Sequence, residues 1–485
     1  MRDSPVPAPQ LRRVIGASQL FTLGFGAIVG VGFVVGLGEW LSQAGPLGAI
    51  LAFVAGGALT VLIGFCHAEM ATAMPVSGGE VAYAYEVFGL RTCFATGWLL
   101  ALAEVAVLAF EGLSLAWIVG VLVPGVHGPA LYESFGEPVT LGSLLIGLGG
   151  MALIAWLNYR GISPTARLQD ALTYAKIGLA LVVIVVGLSW GRAANLRPFF
   201  QVGADGSIWG GMLNVFLTSP FWLAGFSVIA RVMEEKAPRT SAPMVGRMLL
   251  LSIVSAALFY CLVILACSML LPWRTLVTLD LPAARGFEVA LGSSILTKTM
   301  LVVALLGNIT VWNSSVLAGS RILFALGRAQ VVGARFGQLH PVHRSPAAAI
   351  VFLSVASCIG ILLGRRAIMP VVNVASFCFS MSYLLVCLSV LKLRQTRTEV
   401  VPPYRAPGGR LTAVLAAASS LLMVGLALYQ PAVAAPGRLP MEWTVLMVWT
   451  LLGGGFWLAS QGLRGRIAEG ERRALILGSQ SAAAS

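Results

Sequence analysis

Charge is what this 485-residue chain has least of: 11% of its residues are Asp, Glu, Lys or Arg and 58% are hydrophobic. An ordinary soluble domain carries roughly 25% charged residues, so water is not the main solvent of this one. Aspartate is confined to Asp3, Asp170, Asp205 and Asp280, none of them at mid-membrane depth in the topology derived below. No H-E-x-x-H zinc motif, G-x-x-x-x-G-K-[ST] phosphate loop or TVGYG filter occurs, which argues against a zinc hydrolase, an ATP-driven pump and a potassium-type channel. The seven cysteines (Cys66, Cys93, Cys261, Cys267, Cys358, Cys378 and Cys387) lie in or beside apolar runs without a C-x-x-C pair. They read as small packing residues, so neither disulfides, a metal nor a cofactor is expected.

What the chain has in abundance is apolar length. A bilayer core about 30 Å thick needs ~20 apolar residues per helical span, and such runs recur from Gln19 to Leu463. We read spans near 19–41, 47–73, 92–123, 141–157, 168–190, 208–231, 248–271, 296–326, 347–363, 368–391, 411–429 and 442–463. The expected fold is therefore an all-α integral membrane protein with twelve transmembrane helices, its connections too short for a separate soluble domain.

A formal net charge of +13 raises the question of nucleic acid, and the placement of the basic residues answers it. Of the 32 Lys and Arg residues, 23 fall in loops and tails on the N-terminal side, Arg231 and Arg321 among them. Eight fall on the opposite side, and Lys176 lies within a span. The positive-inside rule then puts both termini in the cytoplasm, with the chain multi-pass in the plasma (inner) membrane. Anionic lipid, not nucleic acid, is the partner this charge implies. The polar start, Met1 to Arg13, leads into a run of full spanning length, which reads as a first membrane helix and not as a cleaved signal.

Two spans look mechanically broken. The first carries Gly24, Gly26, Gly30, Gly32, Gly36 and Gly38, a density that weakens a continuous helix. The sixth carries Ser219, Pro220 and Gly225 near its middle, and a proline there removes a backbone donor. Gly26 and Gly30 alone would also suit close helix packing. Breaks five spans apart favour an inverted repeat with substrate held between the halves. The expected organisation is a tail over 1–18, repeats over 19–190 and 191–393, two peripheral spans within 394–463, and a second tail over 464–485.

Several segments carry a resemblance. Gly26-Ala27-Ile28-Val29-Gly30-Val31-Gly32-Phe33 is similar to the G-x-I-I-G-x-G-I-F of the amino acid, polyamine and organocation (APC) transporters. Ala68-Glu69-Met70 followed by Pro75-Val76-Ser77-Gly78-Gly79 resembles their A-E-L-x-x-x-x-P-x-S-G-G segment. Asn158-Tyr159-Arg160-Gly161, Glu234-Glu235 with Pro238, Ser320-Arg321 and Pro403-Tyr404-Arg405 resemble further signatures, in family order. The resemblance implies a LeuT-type 5+5 inverted repeat and a secondary transporter of amino acids working by alternating access. Val31 stands where the family often has a small hydroxyl residue and Ser227 where an acidic one is common, which points to an unusual substrate preference.

A zwitterion needs donors for its carboxylate and acceptors for its ammonium, and a broken helix supplies both. Amides around Val31, Gly32 and Phe33 suit the carboxylate, and carbonyls near Ala27 and Ile28 the ammonium. Glycine at 30 and 32 lets ligand atoms reach the backbone. The resemblance implies that Phe221, Trp222, Ala224, Gly225 and Phe226 line the side-chain pocket. Lys176, nine residues beyond Arg167, sits roughly 13 Å into the membrane, where an ionisable group is a functional candidate unless it snorkels back to the interface. In sodium-independent members of the family a lysine at the matching point takes the place of the sodium ion, which implies a coupling role for Lys176.

Glu104 and Glu111 share one helix face. Glu104, near mid-membrane, would bind a substrate amine or carry a proton, or else bond a neighbouring helix in protonated form. Glu111 is expected nearer the outer surface, Glu80 and Glu86 at the cytoplasmic vestibule, and His67 at the inner interface. Asn308, Asn313 and Ser314 would reach substrate or bond between helices. The coarse reading is a small-molecule transporter for an amino acid, with a proton as candidate coupling ion and with proton symport and exchange both open. An amine or polyamine exchanger is the alternative, and a membrane-embedded enzyme or sensor a more distant one.

Overall fold

The computed structural model describes residues 11–203, 206–396, 402–434 and 437–477. Residues 1–10 and 478–485 of the two expected tails lie outside the described residues. In chain order, α1 (Ala17–Ile28) and α2 (Gly32–Val35) are separated by an interruption, and α3 (Leu37–Ala73) follows. Then come α4 (Glu80–Phe88), α5 (Leu90–Leu122), a hairpin of β1 (Ala130–Ser134) and β2 (Glu137–Thr140), α6 (Leu141–Tyr159) and α7 (Ile162–Trp190). Helix α8 (Trp209–Trp222) is separated from α9 (Val228–Arg231) by a tight turn, and α10 (Ala242–Leu270) follows. Two short helices, α11 (Trp273–Leu276) and α12 (Pro282–Leu291), precede α13 (Ser294–Arg328), α14 (Ala347–Leu362), α15 (Ile368–Thr396) and α16 (Gly409–Ala434). The chain closes with α17 (Met441–Ala459), α18 (Gln461–Arg464) and α19 (Glu469–Leu477).

Among the described residues, 10 helices are long and apolar enough to cross a membrane. Of the other two expected spans, α14 is an apolar helix of 16 residues and α17 has 19. Large apolar side chains such as Leu145, Val185, Leu258, Val355, Leu421 and Leu451 point outward from the bundle. This is the arrangement lipid requires, because each helix satisfies its own backbone and only the side chains need an apolar solvent. The protein is a multi-pass membrane protein. The hairpin at 130–140 is an addition to the expected all-α fold.

The first span does not end where hydropathy suggested. Residues Leu37–Ala44 continue the arm begun by α2, and the chain turns at Gly45, where φ is 71° and ψ 173°. A Cβ there would lie 2.7 Å from the backbone nitrogen of Gln201, so both the conformation and the space require glycine. The turn is tied to the segment before α8 by Leu47 N–H on the Phe199 carbonyl (3.0 Å) and Gln201 N–H on that of Ala44 (3.1 Å).

The end of the bundle near Ile15 and α19, where the described residues begin and end, is closed. Ile15 is laid beside the 233–237 segment, its N–H on the Glu235 carbonyl (2.9 Å) and its own carbonyl accepting from Ala237 (2.8 Å). The Pro75–Gly79 segment is pressed against the same strip: Gly78 N–H donates to the Arg231 carbonyl (3.1 Å) and Ser77 N–H to Glu234 (3.2 Å). Glu234 also pairs with Arg328 (2.9 Å), and Glu235 with Arg321 through two bonds of 2.7 and 3.1 Å. Glu69 accepts from Arg394 and from Ala406 N–H, fastening α3 to α15 and the segment beyond it. Helix α17 is no loose appendage, because Trp98 and Trp449 stack at 4.9 Å and each donates its indole N–H to the other's carbonyl.

Arg321, counted above among loop residues, is therefore buried at 2% exposure within a bidentate pair. Removing one partner of such a pair strands a buried charge. Arg321→Ala is expected to destabilise the protein by about 3–5 kcal/mol, with Arg321→Met/Glu235→Leu retaining most of the stability, as read by thermal unfolding in detergent. Equal losses in single and double variants would contradict this account.

Candidate functional site

Helix α1 stops because Val29 leaves helical space, at φ −89° and ψ 85°. Its last carbonyls then need donors in a place where water is scarce. Side chains from three other helices supply them. Thr310 Oγ1 of α13 donates to the Gly26 carbonyl (3.0 Å), Tyr260 of α10 to that of Ile28 (3.1 Å), and the Lys176 ammonium of α7 to that of Val29. Lys176 also donates to Thr310 Oγ1 (2.9 Å) and lies 5.5 Å from the ring centre of Phe25, 0% exposed. It is held inside the bundle, with no path by which its charge could snorkel to an interface. One turn earlier, Gln169 reaches the Thr22 carbonyl (3.2 Å), so α7 splints α1 over its last two turns.

The break in the sixth span falls after Pro220, not at it. Proline has no N–H to give the Phe216 carbonyl, and Ser219 Oγ donates there instead (2.7 Å). The helix runs on to Trp222, turns tightly over Ala224–Ser227, and resumes as α9. The Ala224 carbonyl freed in the turn accepts from Tyr383 (3.2 Å) and Ser227 (3.3 Å). The two breaks are in backbone contact: a Cβ at Gly225 would lie 2.2 Å from the Ala27 carbonyl carbon. A Cβ at Gly32 would lie 2.5 Å from the Trp222 ring, and one at Gly307 the same distance from the Gly30 oxygen. Glycine at these points sets how closely α1, α8 and α13 approach.

Between the breaks is a cavity of about 50 Å³. Ala27, Ile28, Gly30, Val31, Gly32, Glu104, Phe221, Trp222, Ala224 and Gly225 line it. Phe33 and Phe226 stand behind the wall. Phe33 packs edge-on against Phe259 at 5.2 Å, and Phe226 lies against His67 and Tyr383. The N–H groups of Val31, Gly32 and Phe33, at the start of α2, make no hydrogen bond to another described residue. With the carbonyls of α1 opposite, the break offers donors on one side and acceptors on the other, as a zwitterion requires.

Several lining residues differ from the sequence expectations. Glu111, expected nearer the outer surface, lines the cavity at 2% exposure, with one carboxylate oxygen unpaired and close enough to Lys176 for their charges to interact. Arg231, expected in a loop, ends α9 at 1% exposure and lines the cavity. Its guanidinium bonds Glu104 through Nη1 and both oxygens of Glu80 through Nε (3.2 Å each). Glu104 is therefore not free in this arrangement but bonds a neighbouring helix through Arg231 of α9. Glu80, expected at the vestibule, is 1% exposed, and His67 is fully buried with its Nε2 3.9 Å from Glu80. Asn308 and Asn313 bond between helices, to the Glu111 carbonyl and to Gln169 (2.9 Å each), while Ser314, Ser315 and Tyr260 line the cavity. The shared face of Glu104 and Glu111 was the one signal that could have placed Glu111. Nothing local marks Arg231 or Tyr260, since what puts them here is the packing of α9 and α10.

Because Gly225 has no room for a methyl group, Gly225→Ala is expected to cost about 1–3 kcal/mol through overpacking, seen as a lower unfolding temperature. An unchanged midpoint would mean that the two breaks separate without penalty.

The family described as amino acid permease matches residues 15–456. A branched-chain amino acid permease of Bacillus subtilis (strain 168) is 25% identical over 409 residues, 82% of this chain and 84% of the relative. A methylthioribose transporter of the same organism is 26% identical over 408 residues, again 82% and 84%. Asc-type amino acid transporter 1 of Homo sapiens is 27% identical over 403 residues, 81% of this chain and 74% of the relative. The matched region takes in both broken helices and the cavity between them, and the chain belongs to the amino acid permease family of the APC superfamily.

Proposed function

We propose that this protein is a sodium-independent secondary transporter of amino acids with twelve spans, cytoplasmic termini and a LeuT-type inverted repeat, working by alternating access. The observation that carries this reading is the Lys176 ammonium on the Val29 carbonyl and Thr310 hydroxyl at the break in α1. A fixed cation there neutralises carbonyl and hydroxyl oxygens that would otherwise suit a bound cation, so the broken helix needs no sodium to hold its shape. Substrate carboxylate would sit on the amides of Val31, Gly32 and Phe33, and substrate ammonium on the Ala27 carbonyl, the one at the end of α1 that the other helices leave free. Phe221, Trp222, Ala224 and Gly225 would bound the side chain, with Phe226 and Phe33 supporting that wall from behind.

The coupling step follows from the same cluster. Lys176 faces Glu111 across the break, so a proton shared between them would change the charge beneath the substrate site and hence the grip on α1. This favours proton-coupled symport or exchange over a passive pore. The Glu104–Arg231 pair weighs against an amine or polyamine exchanger that relies on Glu104, because that carboxylate is already engaged. The strip that closes the terminal face would have to part for release on that side, moving α1 and α8–α9 relative to α5 and α13.

The test is uptake of labelled neutral amino acids into liposomes in sodium-free buffer, with and without an inward proton gradient and with unlabelled substrate preloaded. Saturable uptake without sodium is expected. A strict sodium requirement would overturn the role given to Lys176. Lys176→Ala is expected to reduce uptake on the order of tenfold or more, the loss of about 1.4 kcal/mol in the transport-competent state. Glu111→Gln should flatten the pH dependence while leaving binding measurable, and an unaltered pH profile in both variants would remove the pair from coupling.

A further inference from the structure

The cavity has a cation-binding cage at its inner end, and the protein fills that cage itself. Two carboxylates from different helices, Glu80 of α4 and Glu104 of α5, converge on one guanidinium. The Phe379 ring stands 6.0 Å from the guanidinium carbon, completing the set of groups that recognise a guanidinium or ammonium: paired anions and an aromatic face. The occupant is Arg231, tethered through α9, about one helical turn away from the turn at Ala224–Ser227 that walls the cavity. Its Nη2 lies 3.2 Å from Glu80 yet makes no well-directed hydrogen bond, so the cage holds it by one edge and one end. His67 and Tyr383 also face this cluster. His67 bonds the Ile63 carbonyl and Tyr383 the Ala224 carbonyl, so neither supplies a further charge partner to the guanidinium.

An arginine keeps its proton in any protein environment, so this charge is permanent. A substrate whose side chain ended in a second cation would meet it at the end of the cavity, with both nearby carboxylates already engaged. We propose that Arg231 is a specificity-determining residue, a built-in occupant of a cation subsite that bars cationic side chains, and that its removal opens a two-carboxylate subsite for a guanidinium or ammonium group. This rests on the cavity being the substrate site. It predicts that the wild-type protein discriminates against arginine and agmatine and accepts the uncharged analogue citrulline better than arginine.

The experiment compares wild type, Arg231→Ala and the charge-balanced Arg231→Ala/Glu80→Gln in thermal unfolding with guanidinium chloride below denaturing concentration, agmatine, L-arginine and L-citrulline. The double variant loses one charge of each sign, so it guards against misfolding from two stranded carboxylates. Both variants should be stabilised by guanidinium, agmatine and arginine at concentrations that leave wild type unmoved. Apparent affinity for arginine should rise on the order of tenfold or more. Adding Glu104→Gln to the double variant should abolish the gain. Arginine inhibiting wild-type amino acid uptake as strongly as citrulline, or a folded double variant without gain in affinity for any cation, would overturn the proposal. Ligand-induced stabilisation reads the cage without transport, so a wild type that moves no amino acid would count against the proposed function and leave this result to stand on its own.

Discussion

The rest of the structure depends on how the backbone is satisfied where α1 breaks inside the bundle. A helix that crosses lipid closes its own hydrogen bonds, and an interruption exposes carbonyls and amides that water would ordinarily solvate. Here the carbonyl end is met by Thr310, Tyr260 and Lys176, drawn from α13, α10 and α7. Those three helices must therefore pack around α1 in one arrangement, and Gly225 and Gly307 let α8 and α13 come close enough to complete it. The amide end is left open onto the cavity. The carbonyl of Ala27, which lines the same cavity, is also left without a hydrogen bond to another described residue, so the break keeps free donors and one free acceptor and becomes a site.

Buried charge is the second theme, and it follows a consistent rule. Each buried cation in the cavity wall and the terminal face is matched: Arg231 with Glu80 and Glu104, Arg321 with Glu235, Lys176 with backbone and hydroxyl oxygens near Glu111. Such pairs seldom add net stability over an apolar packing, because desolvation offsets most of the attraction. What they provide is discrete alternatives, since a guanidinium either keeps its carboxylates or must exchange them for other partners. Under the alternating access proposed above that property would suit elements that shift between two packings, and the pairs are concentrated on the strip formed by residues 231–237, the Pro75–Gly79 segment and α13.

The relatives frame how far substrate can be read from the cavity. One is named for branched-chain amino acids and another, equally similar, for methylthioribose, which is not an amino acid. At such identities the shared scaffold leaves the ligand to a few side chains. In this chain Arg231, Glu104, Phe110, Phe221 and Trp222 line the cavity, residues from α5 and the broken sixth span that meet only in three dimensions.

Membrane residence and the two interrupted helices were legible in the sequence, because they follow from local properties: apolar length, glycine density and a mid-span proline. So were the cavity-lining positions between 27 and 32 and the burial of Lys176 inside the bundle, which depend on counting along a single helix. The resemblance added the amino acid permease family, which the match over residues 15–456 bears out. Tertiary structure alone decided which charges meet. Arg231 ends α9 and Arg321 lies in the last two turns of α13, so both look like interfacial residues in one dimension, yet α4, α5 and the 232–237 strip close over them. Glu104 looks like a free carboxylate until α9 brings a guanidinium to it, and Glu111 looks peripheral until the break in α1 is packed against α5 and α13. The physical reason is that hydropathy and periodicity report what a residue costs to bury, whereas its partner is set by contacts between segments 86 to 151 residues apart, about which the local sequence carries no information.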